Sequence, residues 1–282
     1  MIDAHQHFWA LSRGDYGWLS PDDRVLYRDF GPEHLAPLLD QAGISRTVLV
    51  QAAPTVPETR YLLRIAEQTR WVAGVVGWVD LGTPDLEKTL DDLAASPLLL
   101  GVRPMIQDLP DDDWMLGPAL APAFRALTAR GLRFEALVLP RHLPRLVTLL
   151  ERHPDLRVVI DHAAKPEIRA GRFEPWAAEM ARLARETDAC CKLSGLVTEA
   201  APSWATSDLR PYVAHLLECF GSERLLWGSD WPVVELAGGF RRWREATLEL
   251  LGDLDDAERR AILGGNARRF YGLPASGRPV PE

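Results

Sequence analysis

Short runs of β-branched and apolar residues recur along this 282-residue chain, and they alternate with longer stretches whose apolar positions return every three or four residues. The first kind reads as strands buried on both faces, the second as helices with one apolar side, and the alternation predicts a parallel sheet wrapped by helices. Eight strands are predicted: Ile2 to His5, Thr47 to Gln51, Gly74 to Val79, Leu99 to Arg103, Arg133 to Val138, Val158 to Asp161, Ala189 to Leu193 and Leu225 to Ser229. Helices are expected over Pro32 to Ala42, Thr59 to Thr69, Leu86 to Ala95, Pro118 to Arg130, Leu143 to His153, Pro175 to Glu186 and Leu209 to Cys219. Two more follow the last strand, around Trp243 to Leu251 and from Ala257 to Tyr271, with Asp255 or Asp256 as the cap. Strand starts fall about 25 to 45 residues apart, room for one helix and two loops. The expectation is therefore an α/β protein, a single-domain (β/α)8 TIM barrel over residues 1–273, with a loose Pro- and Gly-containing tail at 274–282.

A hydrophobic content of 47% suits one large core, and 32 basic against 40 acidic residues leave a net charge of −8. No basic run could neutralise a phosphate backbone, so nucleic acid is not expected as a partner. Apolar stretches are broken by charge well short of a membrane span, and no positively charged leader precedes the first strand, which points to a cytoplasmic protein without a membrane partner. Cys190, Cys191 and Cys219 show no metal-binding or redox spacing and read as small buried residues.

Candidate chemistry gathers at strand ends. His5 and His7 stand two apart on the first strand, so both side chains leave the same face and can grip one ion or polarise one carbonyl. Asp230 ends the run Leu225-Leu-Trp-Gly-Ser229 at the carboxyl end of the eighth strand, where a barrel concentrates its chemistry, and is the candidate general base. His162 closes the sixth strand and can donate to a carbonyl or protonate a leaving oxygen. On an extended strand its neighbour Asp161 would point away from it. Glu135 interrupts an apolar strand, a costly place for a carboxylate unless it is paired or ligates a metal, so it joins His5, His7 and Asp230 as a candidate ligand. Arg103, at the end of the fourth strand, offers a fork of donors, and Gln107 and Lys165 follow strands four and six as substrate-binding candidates. Lys192 would add positive charge to the mouth. Ten tryptophans are many; Trp9, Trp18 and Trp231 fall on rim loops where rings could stack on a sugar-like ring, whereas Trp71, Trp78 and Trp243 suit packing. Gly-x-Ser-x-Gly, phosphate loops and dinucleotide fingerprints are absent from the sequence.

Asp3-Ala-His5-Gln-His7-Phe-Trp9, Gly101-Val-Arg103-Pro-Met-Ile-Gln107-Asp108, Asp161-His162-Ala-Ala-Lys165-Pro166, Lys192-Leu-Ser-Gly-Leu-Val-Thr-Glu199 and Gly228-Ser-Asp230-Trp-Pro232 together resemble the lactonase branch of the amidohydrolase superfamily. The terminal Asn266-Ala-Arg-Arg-Phe-Tyr-Gly272 is similar to the closing helix of these barrels, so the likeness spans nearly the whole chain. It is nearest to L-fuconolactonase- and L-rhamnonolactonase-like enzymes, with pyrone-dicarboxylate lactonases more distant. The resemblance implies hydrolysis of a small-molecule lactone to an open hydroxy acid. It carries the family's first-strand histidines onto His5 and His7, its sixth-strand histidine onto His162 and its eighth-strand aspartate onto Asp230. The lysine that many two-metal relatives carbamylate after strand four is replaced by Arg103, so the site implied needs no cofactor or one divalent ion, with zinc the first choice. Alternatives are hydrolysis of a pyrone dicarboxylate, metal-dependent decarboxylation of an aromatic acid, and a binding barrel without turnover.

Overall fold

The strands β1 (Ile2–Gln6), β2 (Arg46–Val50), β3 (Val72–Gly77), β4 (Leu99–Val102), β5 (Arg133–Ala136), β6 (Val158–Ile160), β7 (Cys190–Leu193) and β8 (Leu225–Trp227) lie parallel and in sequential order in one sheet of a computed structural model that describes residues 1–275. The sheet curls until its edges meet. Beyond β8, the backbone N–H of His7 donates to the Trp231 carbonyl at 2.7 Å, and that of Asp230 donates to the His5 carbonyl at 2.8 Å. All eight strands were expected, and each runs within about two residues of its predicted bounds. The tail expected over 274–282 lies, from residue 276 on, outside the described residues; Pro274 accepts a hydrogen bond from Arg46 at 2.7 Å.

Parallel pairing in register sends paired residues to the same face of the sheet. Glu135 pairs with Val159, and Lys192 pairs with Leu226. Val159 and Leu226 belong to a small buried cluster with Val48, Val76 and Tyr271, which fills the barrel. Their strand neighbours Phe134, Ile160, Cys191 and Leu225 face outward into the larger core under the helices.

That outer ring comprises α1 (Pro32–Ala42), α2 (Val56–Gln68), α3 (Leu86–Ala94), α4 (Ala121–Ala129), α5 (Leu143–Arg152) and α6 (Trp176–Glu186), then the short α7 (Leu196–Glu199), α8 (Thr206–Phe220) and α9 (Gly239–Leu250). Each main helix buries one stripe, as α5 does with Leu143, Leu146, Val147 and Leu150. The helix expected from Ala257 to Tyr271 is instead broken into α10 (Asp256–Arg260) and α11 (Asn266–Tyr271) around a wide turn at Ala261–Gly265. Gly264 explains the break: its φ is +155°, and a Cβ there would stand 2.7 Å from the backbone nitrogen of Ile2. Close approach to β1 therefore overrides helical periodicity. Asp255 caps α10, accepting from the N–H groups of Ala257 and Glu258. Among the described residues, no helix is long and apolar enough to cross a membrane.

Candidate active site

The seam between β1 and β8 places the first three groups. Asp3, fully buried, accepts from the backbone N–H of Ser229 at 2.8 Å and of His5 at 3.1 Å, tying the two strand ends together. Burial pushes its carboxyl up to about 6 against those hydrogen bonds. Gly228 is required at the same seam, because a Cβ there would lie 2.6 Å from the Cβ of His5. His5, His7 and Asp230 then meet above it: the two Nε2 atoms are 3.1 Å apart, and Asp230 Oδ1 lies 3.4 Å from that of His7 and 3.7 Å from that of His5.

His162 brings the fourth group, by a route the strand period does not predict. β6 ends at Ile160, and the chain then makes a left-handed turn in which His162, Ala163, Ala164 and Lys165 all have φ between 50° and 57°. Asp230 shares this conformation, with φ 57°. Non-glycine residues adopt it at a cost of about 1–2 kcal/mol each, and such strain concentrates at functional sites. The turn is held by the Trp176 indole, which donates to the Ala163 carbonyl at 2.7 Å. His162 Nε2 comes within 3.9 Å of Asp230 Oδ1, and its Nδ1 lies 2.9 Å from the Ser194 hydroxyl. Burial pushes the His162 imidazole down to about 4, so it is neutral at pH 7. Burial raises the Asp230 carboxyl, but His162, His7 and His5 outweigh it and hold the group below the usual carboxylate range.

Beneath the imidazoles lies a layer of buried charge. Lys192 Nζ is 2.5 Å from Glu135 Oε2, 3.0 Å from Asp161 Oδ1 and 3.1 Å from His5 Nδ1. The Tyr271 hydroxyl donates to the other oxygen of Glu135. Arg103 Nη1 lies 3.3 Å from Asp161 Oδ2 and 3.2 Å from His5 Nε2, while its Nη2 donates to the Gln51 carbonyl. Three expectations change here. Glu135 is not grouped with the candidate metal ligands, because its carboxylate is taken by Lys192 and Tyr271. Asp161 does not point away from His162: the strand has ended before it, and the two converge with His5, whose Nδ1 lies 3.5 Å from Asp161 Oδ1. Lys192 is completely buried rather than part of an open mouth. Burial raises the Glu135 carboxyl to about 7 despite Lys192; Asp161, also buried, is held well below the usual range by Lys192, His5 and Arg103.

The rim candidates divide. Trp18 is 43% exposed and anchored through its indole N–H to the Ala52 carbonyl at 2.7 Å, so a ring face remains available. Trp231 offers none, being 3% exposed and packed edge-on against Phe8 and Phe30; Trp9 is buried as well. Lys165 is paired with Glu199 at 4.0 Å, a partner 34 residues away that no local spacing indicates. Gln107 lies on the loop after β4 with a buried side-chain oxygen that has no partner. Among the described residues, two groups could hold a cation, His5–His7–Asp230 and His5–Asp161–His162, with ligand atoms within 4.8 Å of one another in each. Imidazole nitrogens with one carboxylate oxygen are a donor set that suits zinc. A cleft of about 730 Å³ lies elsewhere, at the amino ends of β6 and β7, where Arg157, Asp188 and Arg269 line it.

Compared with known proteins, residues 2–273 match the model of the amidohydrolase family. The chain is 49% identical to an L-fucono-1,5-lactonase of Burkholderia ambifaria, over 96% of this chain and 94% of that protein. It is 36% identical to an L-fucono-1,5-lactonase of Burkholderia multivorans, over 97% and 96%. A crystal structure of an amidohydrolase from Burkholderia multivorans with bound zinc superposes with a TM-score of 0.90 at 36% identity, covering 97% of this chain and 99% of that one.

Proposed function

The chain belongs to the amidohydrolase family, and on that premise we propose that it is a lactonase that opens the 1,5-lactone of a sugar acid of the L-fuconic type to the free hydroxy acid. The observation that carries the reading is the convergence of one ionised carboxylate, Asp230, on three imidazoles at the carboxyl end of the barrel. Asp230 takes a proton from water as the water oxygen bonds to the lactone carbonyl carbon. The ring C–O bond then breaks, and the proton returns through Asp230 or His162 to the departing alkoxide, so that acid and base come from one cluster. Arg103 and the N–H of His5 stabilise charge developing on the carbonyl oxygen, in a site where burial strengthens every such contact. Trp18, Gln107 and Lys165 hold the ring and its hydroxyls at the rim.

A divalent ion, zinc by donor type, would be held by His5, His7 and Asp230 and would supply Lewis-acid polarisation of the carbonyl. The reading includes a cytoplasmic setting, supported by the free thiols of Cys190, Cys191 and Cys219. It is tested by following acid release from a panel of sugar-acid lactones. Wild type is expected to consume at least one 1,5-lactone well above the spontaneous rate, and Asp230→Asn to lose about 10²–10⁴-fold with its melting temperature kept. A folded Asp230→Asn protein of near wild-type rate, or a panel left untouched, overturns it.

A further inference from the structure

Hydrogen-bond direction fixes where the imidazole protons sit. His7 Nδ1 lies 2.8 Å from the Val50 carbonyl, which can only accept, so His7 carries its proton on Nδ1 and leaves Nε2 as a bare lone pair. That lone pair faces His5 Nε2 at 3.1 Å. On its other side His5 presents Nδ1 to Lys192 at 3.1 Å, and an ammonium can only donate. With its proton on Nε2, His5 satisfies both neighbours, accepting from Lys192 and donating to His7. Arg103 Nη1, 3.2 Å from His5 Nε2, keeps Asp161 Oδ2 as its acceptor at 3.3 Å. With the proton on Nδ1 instead, Lys192 would face an N–H, two bare Nε2 lone pairs would oppose each other, and only Arg103 and Asp161 Oδ1 would gain. Asp161 Oδ1 is the farther partner of His5 Nδ1, at 3.5 Å, and is already held by Lys192 at 3.0 Å.

A cation held by His5, His7 and Asp230 needs the second arrangement, because His5 must then present a bare Nε2. We propose that Lys192 is the positioning residue that holds the His5 proton on Nε2, so that the cluster keeps a proton where a metal ion would otherwise sit. Asp161 Oδ1 is the acceptor that takes the proton at Nδ1 when Lys192 is removed. Lys192 thereby sets the metal affinity of a site it does not enter, and this holds whichever lactone is opened.

The tautomer is read directly in the wild-type protein. Long-range ¹H–¹⁵N spectra of histidine-labelled, chelator-treated protein, with His5 assigned by its loss in His5→Gln, are expected to show Nε2 protonated and Nδ1 bare. A protonated Nδ1 overturns the proposal, and no variant has to fold for this outcome. Zinc affinity, measured by competition with a chromophoric chelator, is expected to rise about tenfold or more in Lys192→Met, the equivalent of one hydrogen bond, as His5 moves its proton to Nδ1. Removing a buried positive charge would by itself favour any cation. The double variant Lys192→Met/Glu135→Gln keeps the net charge of the layer, and there the gain should persist. Unchanged zinc affinity in Lys192→Met, or a gain that disappears in the double variant, overturns the proposal; neither result bears on whether lactones are opened.

Discussion

His162 and Asp230 hold left-handed backbone although neither is glycine, and both point their side chains into one cluster. The surrounding contacts offset that strain: Trp176 on the turn, Ser194 on the His162 ring, and the β1 to β8 seam behind Asp230. Gly195 belongs to the same design, since its φ is +64° and a Cβ there would lie 2.5 Å from His162 Nδ1. Ser194→Ala is expected to lower kcat about tenfold, the worth of one hydrogen bond, with KM and melting temperature little changed; steady-state kinetics checks it. The pH profile follows from the same ring. Burial favours the neutral form of His162 and places its titration at about 4, so kcat/KM is expected to be level above about pH 5 and to fall below it. An acid limb near pH 6 to 7 would contradict that assignment. His5, His7, His162, Asp230 and Arg103 were legible as candidates because each lies at or just beyond the end of a strand of recognisable pattern. Asp161 was not, because its orientation depends on a turn that only strain and packing specify, and the partnership of Glu135 with Lys192 joins residues 57 apart in sequence.

At the level of elements, the loop after β2 shows how the rim is fixed. Thr55 caps α2, accepting from the Glu58 N–H at 3.1 Å, and the buried Glu58 carboxylate reaches back to the N–H groups of Ala52 and Ala53. Ala52 in turn holds Trp18. Glu58→Ala leaves those backbone donors without partners and is expected to cost about 2 kcal/mol in urea unfolding, with Trp18 fluorescence altered. Burial also raises the Glu58 carboxyl to about 7, from 4.5. A carboxyl raised on folding binds its proton more tightly in the native state, so its contribution is full below about pH 4.5 and is lost as pH rises through about 7. Glu58→Gln should therefore flatten part of the fall in stability across that interval, read as a smaller slope of unfolding free energy against pH. Helix and strand periodicity gave the existence of these elements. It missed the break inside the last helix, because Gly264 is set by its approach to β1 and not by any local preference.

The whole molecule separates its tasks by barrel end. Carboxyl ends of strands carry the imidazoles, Asp230 and Arg103, while the amino ends are closed by Tyr271 and Leu273 and flanked by the charged cleft at β6 and β7. The expected order of eight strands was legible from alternation alone, since right-handed crossovers leave little choice once every strand is followed by a helix. The buried charge layer was not legible, because it forms only when β5, β6 and β7 close on β1. In the function proposed, that layer and the cluster above it activate water beside Asp230 for attack on a lactone carbonyl. The most direct test is a reaction run in H₂¹⁸O with a 1,5-lactone substrate and analysed by mass spectrometry. One ¹⁸O in the carboxylate of the product acid, at a rate that Asp230→Asn abolishes, is the predicted result; label in the alcohol oxygen, or labelling that proceeds equally with Asp230→Asn, would contradict it.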